Sequence, residues 1–313
     1  MTVVALSGGV GGAKLALGLS RVLPPEELLV VCNTGDDFEH LGLCISPDID
    51  TVMYTLAGVA NPELGWGRGD ETFSFMETLA TLGGETWFRL GDRDLAVHVE
   101  RTRRLRAGET LSAITADLCA RLGVGPRVLP MSDDPVRTRV RTDEGWIDFQ
   151  EYFVHRRCEP AVHELVFHGA ATAHAQPDFL AALVDPATTA VVICPSNPFI
   201  SIEPILAVPG VRAALTNCTA PVVAVSPLIG GRAIKGPTAK MMAELGMTPS
   251  AGGVARRYDD VIDGYVCDFA DMDQVAGISA KVTLGQTLMS TLADREALAR
   301  IVLGAARVLR RDR

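Results

Sequence analysis

Two groups of residues within the first fifty positions have the types and spacing to do chemistry. The first is Ser7-Gly8-Gly9-Val10-Gly11-Gly12-Ala13-Lys14, which follows a short apolar run and precedes apolar residues at helical spacing. Glycines remove the side chains that would keep an anion away from backbone amides, and a helix amino terminus adds partial positive charge. The segment therefore suits a phosphate, with Gly8, Gly9, Gly11 and Gly12 as the cradle and Lys14 as a point charge. It matches neither standard nucleotide fingerprint. Counted from Gly9, Lys14 stands at the third glycine of G-x-G-x-x-G, and Ala13 and Leu15 stand at the glycine and hydroxyl positions of a P-loop. A tight turn that packs a helix on a sheet is the plainer reading of the same glycines.

The second group is Asn33-Thr34-Gly35-Asp36-Asp37 with Ser46-Pro47-Asp48-Ile49-Asp50-Thr51, four carboxylates near one strand edge. Clustered acids repel unless a cation joins them, and Mg²⁺ is the ordinary choice when one or two carboxylates share it with a diphosphate. Asp48 or Asp50 capping a helix that starts at Thr51 is the structural alternative. Asp36 also lies about 20 residues beyond the glycines, where dinucleotide folds hold a ribose. The broken fingerprint and the second acidic group weigh against a dehydrogenase.

Further along, Arg89-Leu90-Gly91-Asp92-Arg93-Asp94 reads either as a solvated loop with weak internal ion pairs or as a place where Arg89 or Arg93 holds a phosphate or a planar acidic ring. Pro195-Ser196-Asn197-Pro198 and the segment 226–237, which contains Lys235, offer hydroxyl, amide and ammonium groups suited to a nucleobase and its phosphates. The same residue types also make ordinary turns. None of the six histidines falls at ligand spacing with Cys or Glu, and no G-x-S-x-G elbow is present, so neither a zinc site nor a nucleophilic serine has support.

These groups need elements to position them. Residues 3–6 and 28–32 are short, continuous β-branched and apolar runs, the pattern of buried parallel strands, and residues 14–22 between them are helical. The same grammar returns at 190–194 and 221–225, with helices expected over 202–215 and 238–245. The chain is expected to be α/β, with a Rossmann-like, mostly parallel sheet, helices on both faces and an inserted α+β portion. Residues 1–71 and 169–313 form the nucleotide-binding core in this reading, and 72–168 form the insertion, a lid with a helix over 111–122 and alternating segments at 138–141, 146–154 and 162–167. Residues 294–309 make an amphipathic helix. In open parallel sheets ligands sit beyond the carboxyl ends of the strands, so all four polar loops should face one crevice.

Composition narrows the partners. With 29 basic against 38 acidic residues and a net charge of −9, a nucleic-acid groove is not expected. No apolar run approaches the roughly 20 residues needed to cross a bilayer. Seven scattered cysteines without CxxC spacing read as buried thiols in a reducing cytoplasm, and residues 1–6 reach the glycine loop without a leader pattern.

Taken together, the glycine loop, Asn33 to Asp37, Ser46 to Thr51, Gly91-Asp92-Arg93-Asp94, residues 129–134, Pro195 to Pro198 and residues 226–237 resemble the 2-phospho-L-lactate transferase family of coenzyme F-420 biosynthesis. The likeness runs in order along nearly the whole chain. It implies Mg²⁺-dependent transfer of a phospholactyl or phosphoenolpyruvyl group from a guanosine diphosphate-activated donor to the deazaflavin Fo, with release of GMP, by a homodimer. Family members contact Fo through an Asp and a basic residue whose motif positions fall on Asp50 and Arg89. On that footing Gly8, Gly9, Gly11, Gly12, Lys14, Ser196, Asn197 and Lys235 are assigned to the donor nucleotide. Asp37, Asp48 and Asp50 are assigned to catalysis, with Asp37 and Asp48 holding the metal. A nucleotide-sugar-binding regulator from a related family, or an NAD-dependent oxidoreductase, are the alternatives.

Overall fold

The computed structural model describes residues 1–311. Its centre is a seven-stranded sheet, formed by β1 (Thr2–Ser7), β2 (Leu28–Cys32), β3 (Arg127–Pro130), β4 (Thr188–Ile193), β5 (Val222–Val225), β6 (Gly264–Asp268) and β7 (Lys281–Gly285). The order is β7-β6-β5-β4-β1-β2-β3, and every pairing is parallel. Alternate residues of each strand feed two cores. Val4, Leu6, Leu29, Val31, Val191 and Ile193 pack into one. Val3, Ala5, Leu28, Val30, Ala190 and Val192 pack into the other. A strand buried on both faces must be apolar at every position, which is why these runs lack polar alternation.

On the second face lie α1 (Gly9–Val22), α2 (Pro47–Ala57), a helix rich in charge, α3 (Asp92–Arg106), α4 (Leu111–Arg121) and the last helix, α5 (Leu292–Arg311). α1 buries Leu15, Ala16 and Leu19. Its Gly18 lies against the main-chain oxygen of Arg295, so close that a Cβ would fall inside van der Waals contact. The opposite face is covered by shorter helices, among them Pro177–Val184, Val211–Thr216 and Thr238–Glu244. No helix among the described residues is long and apolar enough to cross a membrane.

The order of connection reverses between β1 and β4, which makes their carboxyl ends the switch point where open α/β sheets bind ligands. The α/β architecture is as expected, with three differences in its parts. β3 lies inside the stretch 72–168 yet pairs along β2, Val30 opposite Val128, so the core sheet takes a strand from that stretch. What stands apart is a three-stranded antiparallel sheet of Gly145–Asp148, Arg137–Thr142 and Glu164–His168. Residues 146–154 begin as a strand but turn π-helical at Glu151–His155, because Phe149, Tyr152 and Phe153 recur at helical spacing and Tyr152 is fully buried. Finally, residues 92–94, read as part of a loop, open α3. Asp92 and Asp94 lie in its first turn and Arg103, Arg104 and Arg106 in its last, an arrangement that complements the helix dipole.

Candidate functional site

β1 ends at Ser7 and Gly8 enters α1 in an extended conformation, followed by Gly9 at φ +62°, where a side chain would be strained. The Gly8 amide donates to Ser196 Oγ at 3.1 Å and Ser196 Oγ donates back to Gly8 O at 2.7 Å. The Gly9 amide donates to Asp48 Oδ1 at 2.5 Å. Gly11 is pressed against the carbonyl oxygen of Pro195, and a Cβ at Gly12 would come within 2.5 Å of both Ser7 Oγ and Ser196 Oγ. The glycines thus have a packing role, admitting the loop after β4. The amides of Val10 and Gly11 are among the four that an α-helix start leaves without an intrahelical partner. Asn197 serves its own turn: its Oδ1 accepts from the Phe199 amide at 2.9 Å and caps a π-helical turn, Pro198–Ile202.

Cations gather on one side of this loop. Lys14 Nζ donates to Met289 O at 3.0 Å, and Lys235 Nζ donates to Leu64 O at 2.8 Å. Burial, with the nearby charges of Arg295 and Lys235, lowers the pKa of Lys14.

Carboxylates gather on the other side, around Asn33. Its Nδ2 faces Asp48 Oδ2 at 2.9 Å, Asp36 Oδ1 at 3.1 Å and Ile200 O at 3.2 Å, while its Oδ1 accepts from the Gly35 amide at 2.8 Å. Asp48 and Asp50 sit in the first turn of α2, and neither caps it. Asp48 instead caps α1 through Gly9. Asp37 Oδ2 accepts from Ser46 Oγ at 2.8 Å, and its Oδ1 is buried with no hydrogen-bond partner. Burial pushes Asp48 up to about 6 and Asp37 up to about 7, and burial together with the charges of Asp48 and Asp37 raises Asp36 well above the usual carboxylate range.

These shifts fix the sign of a pH effect. An unfolded Asp titrates near pH 4, so between about pH 4 and 7 the folded chain retains protons that the unfolded chain has lost. That contribution to stability is complete below about pH 4 and disappears as pH rises through 6 to 7. Metal-free protein is expected to melt higher at pH 5 than at pH 8, and Asp37→Asn should narrow the difference in thermal melts. An equal or larger difference in the variant would show that Asp37 is not the source.

Asp50 faces a separate buried network. Both its oxygens pair with Arg101 of α3, Nη1 to Oδ2 at 3.1 Å and Nη2 to Oδ1, and the Arg101 side chain is 0% exposed. His98 Nδ1 lies 3.7 Å from Asp50 Oδ2, His98 Nε2 lies 3.3 Å from Asp94 Oδ2, and Tyr54 Oη donates to Asp94 Oδ1 at 2.5 Å. Asp50, Asp94 and His98 offer ligand atoms within 4.8 Å of one another, but Arg101 already supplies a positive charge there. Arg89 is exposed and its guanidinium lies 3.6 Å from the Phe73 ring centroid, with no hydrogen bond or ion pair to Asp50. The structure therefore joins Gly8, Gly9, Asp48 and Ser196 directly and leaves Arg89 apart. Arg101 and the bridging role of Asn33 escaped the sequence reading. The i, i+3 spacing of His98 and Arg101 on an unrecognised helix was the available signal.

Fold and site together define a Rossmann-like α/β protein with a glycine loop between a cationic flank and an acidic one. The family model described as 2-phospho-L-lactate transferase CofD matches residues 3–298, and the chain belongs to this family. It is therefore a transferase. It is 43% identical over 320 residues to a phosphoenolpyruvate transferase of Kitasatospora aureofaciens, covering 99% of each chain. It is 41% identical over 307 residues to a phosphoenolpyruvate transferase of Streptomyces coelicolor, covering 96% of each. Among solved structures, a UPF0052-family protein of Bacillus halodurans superposes with a TM-score of 0.64 over 96% of this chain and 98% of that one. At 14% identity, that likeness concerns the fold alone.

Proposed function

We propose that this transferase moves a phosphoenolpyruvyl or 2-phospholactyl group from a guanosine diphosphate-activated donor to the deazaflavin Fo, making a coenzyme F-420 precursor and releasing GMP. The observation that carries the reading is the Gly9 amide bonded to Asp48, which sets the acidic flank directly against the glycine loop. Phosphoryl transfer depends on positioning and charge neutralisation more than on a covalent catalyst, and the two flanks supply both. Lys14, Lys235 and the free amides at the start of α1 hold the donor's diphosphate. The terminal ribityl hydroxyl of Fo attacks the phosphorus bearing the three-carbon acid, the bond to the GMP oxygen breaks, and the hydroxyl proton passes to the carboxylate cluster. Asp50 and Arg89 contact Fo. Each carboxylate oxygen has two lone pairs, so Asp50 accepts from Fo without releasing Arg101.

The acidic flank suits Mg²⁺. Three buried carboxylates, raised by burial, and the unpartnered Asp37 Oδ1 offer oxygens whose charge a divalent cation would neutralise. Asp37 and Asp48 would hold the ion, which supplies charge neutralisation to the diphosphate. The Asp50, Asp94 and His98 set fits less well because Arg101 occupies its electrostatic role. Asp36, bonded to Asn33, is poorly placed to hold the ribose that an oxidoreductase would require.

The test is incubation with Fo, Mg²⁺ and an enolpyruvyl or lactyl diphosphoguanosine, followed by detection of GMP and of a deazaflavin carrying the three-carbon phosphodiester. Chelation of Mg²⁺ should abolish product. No product with any such donor, alongside tight binding of a nucleotide sugar, would replace this reading with that of a regulator. The reading includes a cytoplasmic homodimer, for which light scattering should give twice the chain mass.

A further inference from the structure

The cationic flank contains a third member that the sequence reading passed over. Arg295 lies in the first turn of α5, and its main-chain oxygen abuts Gly18 of α1, one turn beyond Lys14. Lys14 in turn reaches Met289, six residues ahead of Arg295, and the Arg295 charge acts on its ammonium. Lys235 arrives from above with the loop at 61–69. Its ammonium rests on Leu64 O, and a Cβ at Gly65 would lie 3.2 Å from Lys235 Nζ and 2.8 Å from Val10 Cγ1.

None of the three cations has a carboxylate partner within 4.0 Å among the described residues. The acid beside Arg295 in sequence caps the helix and does not form an ion pair with it: Asp294 Oδ2 accepts from the Ser290 and Thr291 amides at 3.1 and 2.8 Å, and its charge acts on Arg295 only through space. Arg295 Nε is buried with no hydrogen-bond partner. Arg104, which holds both Glu109 and Asp117, shows the ion pairing that Arg295 lacks. Three like charges converging without a counter-ion repel one another, and an unpaired buried guanidinium nitrogen is costly, so the arrangement persists at a cost that a polyanion would repay.

We propose that Arg295 completes a three-cation clamp with Lys14 and Lys235 for the diphosphate of the donor. The clamp rests on the proposed nucleotide-activated donor and adds the residue that grips its phosphates from the side of the last helix. Arg295 presents a planar fork, and a fork that binds two phosphate oxygens discriminates a diphosphate from a single phosphate better than an ammonium does.

The test uses the full chain with GDP and with inorganic pyrophosphate as probes in titration calorimetry. Arg295→Gln is expected to weaken both by roughly 10- to 100-fold, the range for lost hydrogen bonds to charged groups. It should also reduce the salt dependence of binding and raise the donor KM more than it lowers kcat, while Arg295→Lys, which keeps the charge, loses less. A folded Arg295→Gln protein that binds GDP as the wild type does would overturn the clamp. If the glutamine variant unfolds, the lysine variant decides in its place, since undiminished GDP and pyrophosphate binding there would equally overturn the fork. A wild-type protein that binds neither probe would overturn the donor reading itself, a separate failure.

Discussion

Arg101→Met is expected to lower folding stability by about 3–5 kcal/mol, the usual cost of breaking a buried ion pair from one side. Arg101 is fully buried and pairs with both oxygens of Asp50, and its Nη1 also lies 3.2 Å from His98 Nδ1. Methionine fills much of the volume but leaves the buried Asp50 without its guanidinium, with only His98 Nδ1 close to its carboxylate. Denaturant unfolding gives the number directly. Adding Asp50→Leu should recover most of the loss, because removing both charges eliminates the uncompensated one. A single variant within about 1 kcal/mol of the wild type would mean that the pair contributes no such constraint. Turnover should not recover in the double variant, since the acceptor contact assigned to Asp50 goes with its carboxylate.

Gly11→Ala carries the second large effect, and it falls on activity as well as on stability. The added methyl would press into the carbonyl oxygen of Pro195, a main-chain atom that cannot swing aside. The loop after β4 must move, and with it Ser196, whose hydroxyl is locked to both main-chain groups of Gly8. Overpacking of this kind costs about 1–3 kcal/mol. A displacement on the order of 1 Å in a positioning loop can cost about 100-fold in rate. Gly304→Ala is the control, because a Cβ there meets nothing within 4 Å inside a helix. It should leave kinetics unchanged and raise stability by up to about 1 kcal/mol. Steady-state kinetics on the two variants side by side would refute the argument if they behaved alike.

The sheet was legible because strands buried on both faces have to be apolar throughout, and the runs at 3–6, 28–32, 190–194 and 221–225 are. β3 was not, since Arg127 and Pro130 at its ends hide a short edge strand inside a polar stretch. The acidic cluster could be seen by proximity in sequence, but its wiring could not. Asp48 meets Gly9 across 39 positions and Asn33 across 15, and nothing local encodes those approaches. α3 was missed because 8 of its 15 residues are charged and no continuous apolar stripe marks it, yet its inward side carries the charged Arg101. Arg295 was hidden for the opposite reason. The amphipathic pattern of α5 accounts for its neighbours so fully that one more arginine looks like solvent-facing charge.

The position of β1 has a consequence for how the chain is made. It lies between β2 and β4 in the sheet and precedes both in the chain, so one of its edges waits until residue 188 has been synthesised. At ordinary translation rates that delay is on the order of ten to forty seconds. The phosphate loop attached to it waits longer still, for the segment at 289–295 that supports Lys14 and brings Arg295. The nascent chain therefore carries one apolar edge of β1 unpaired until β4 has been made, and the anion site is completed later still.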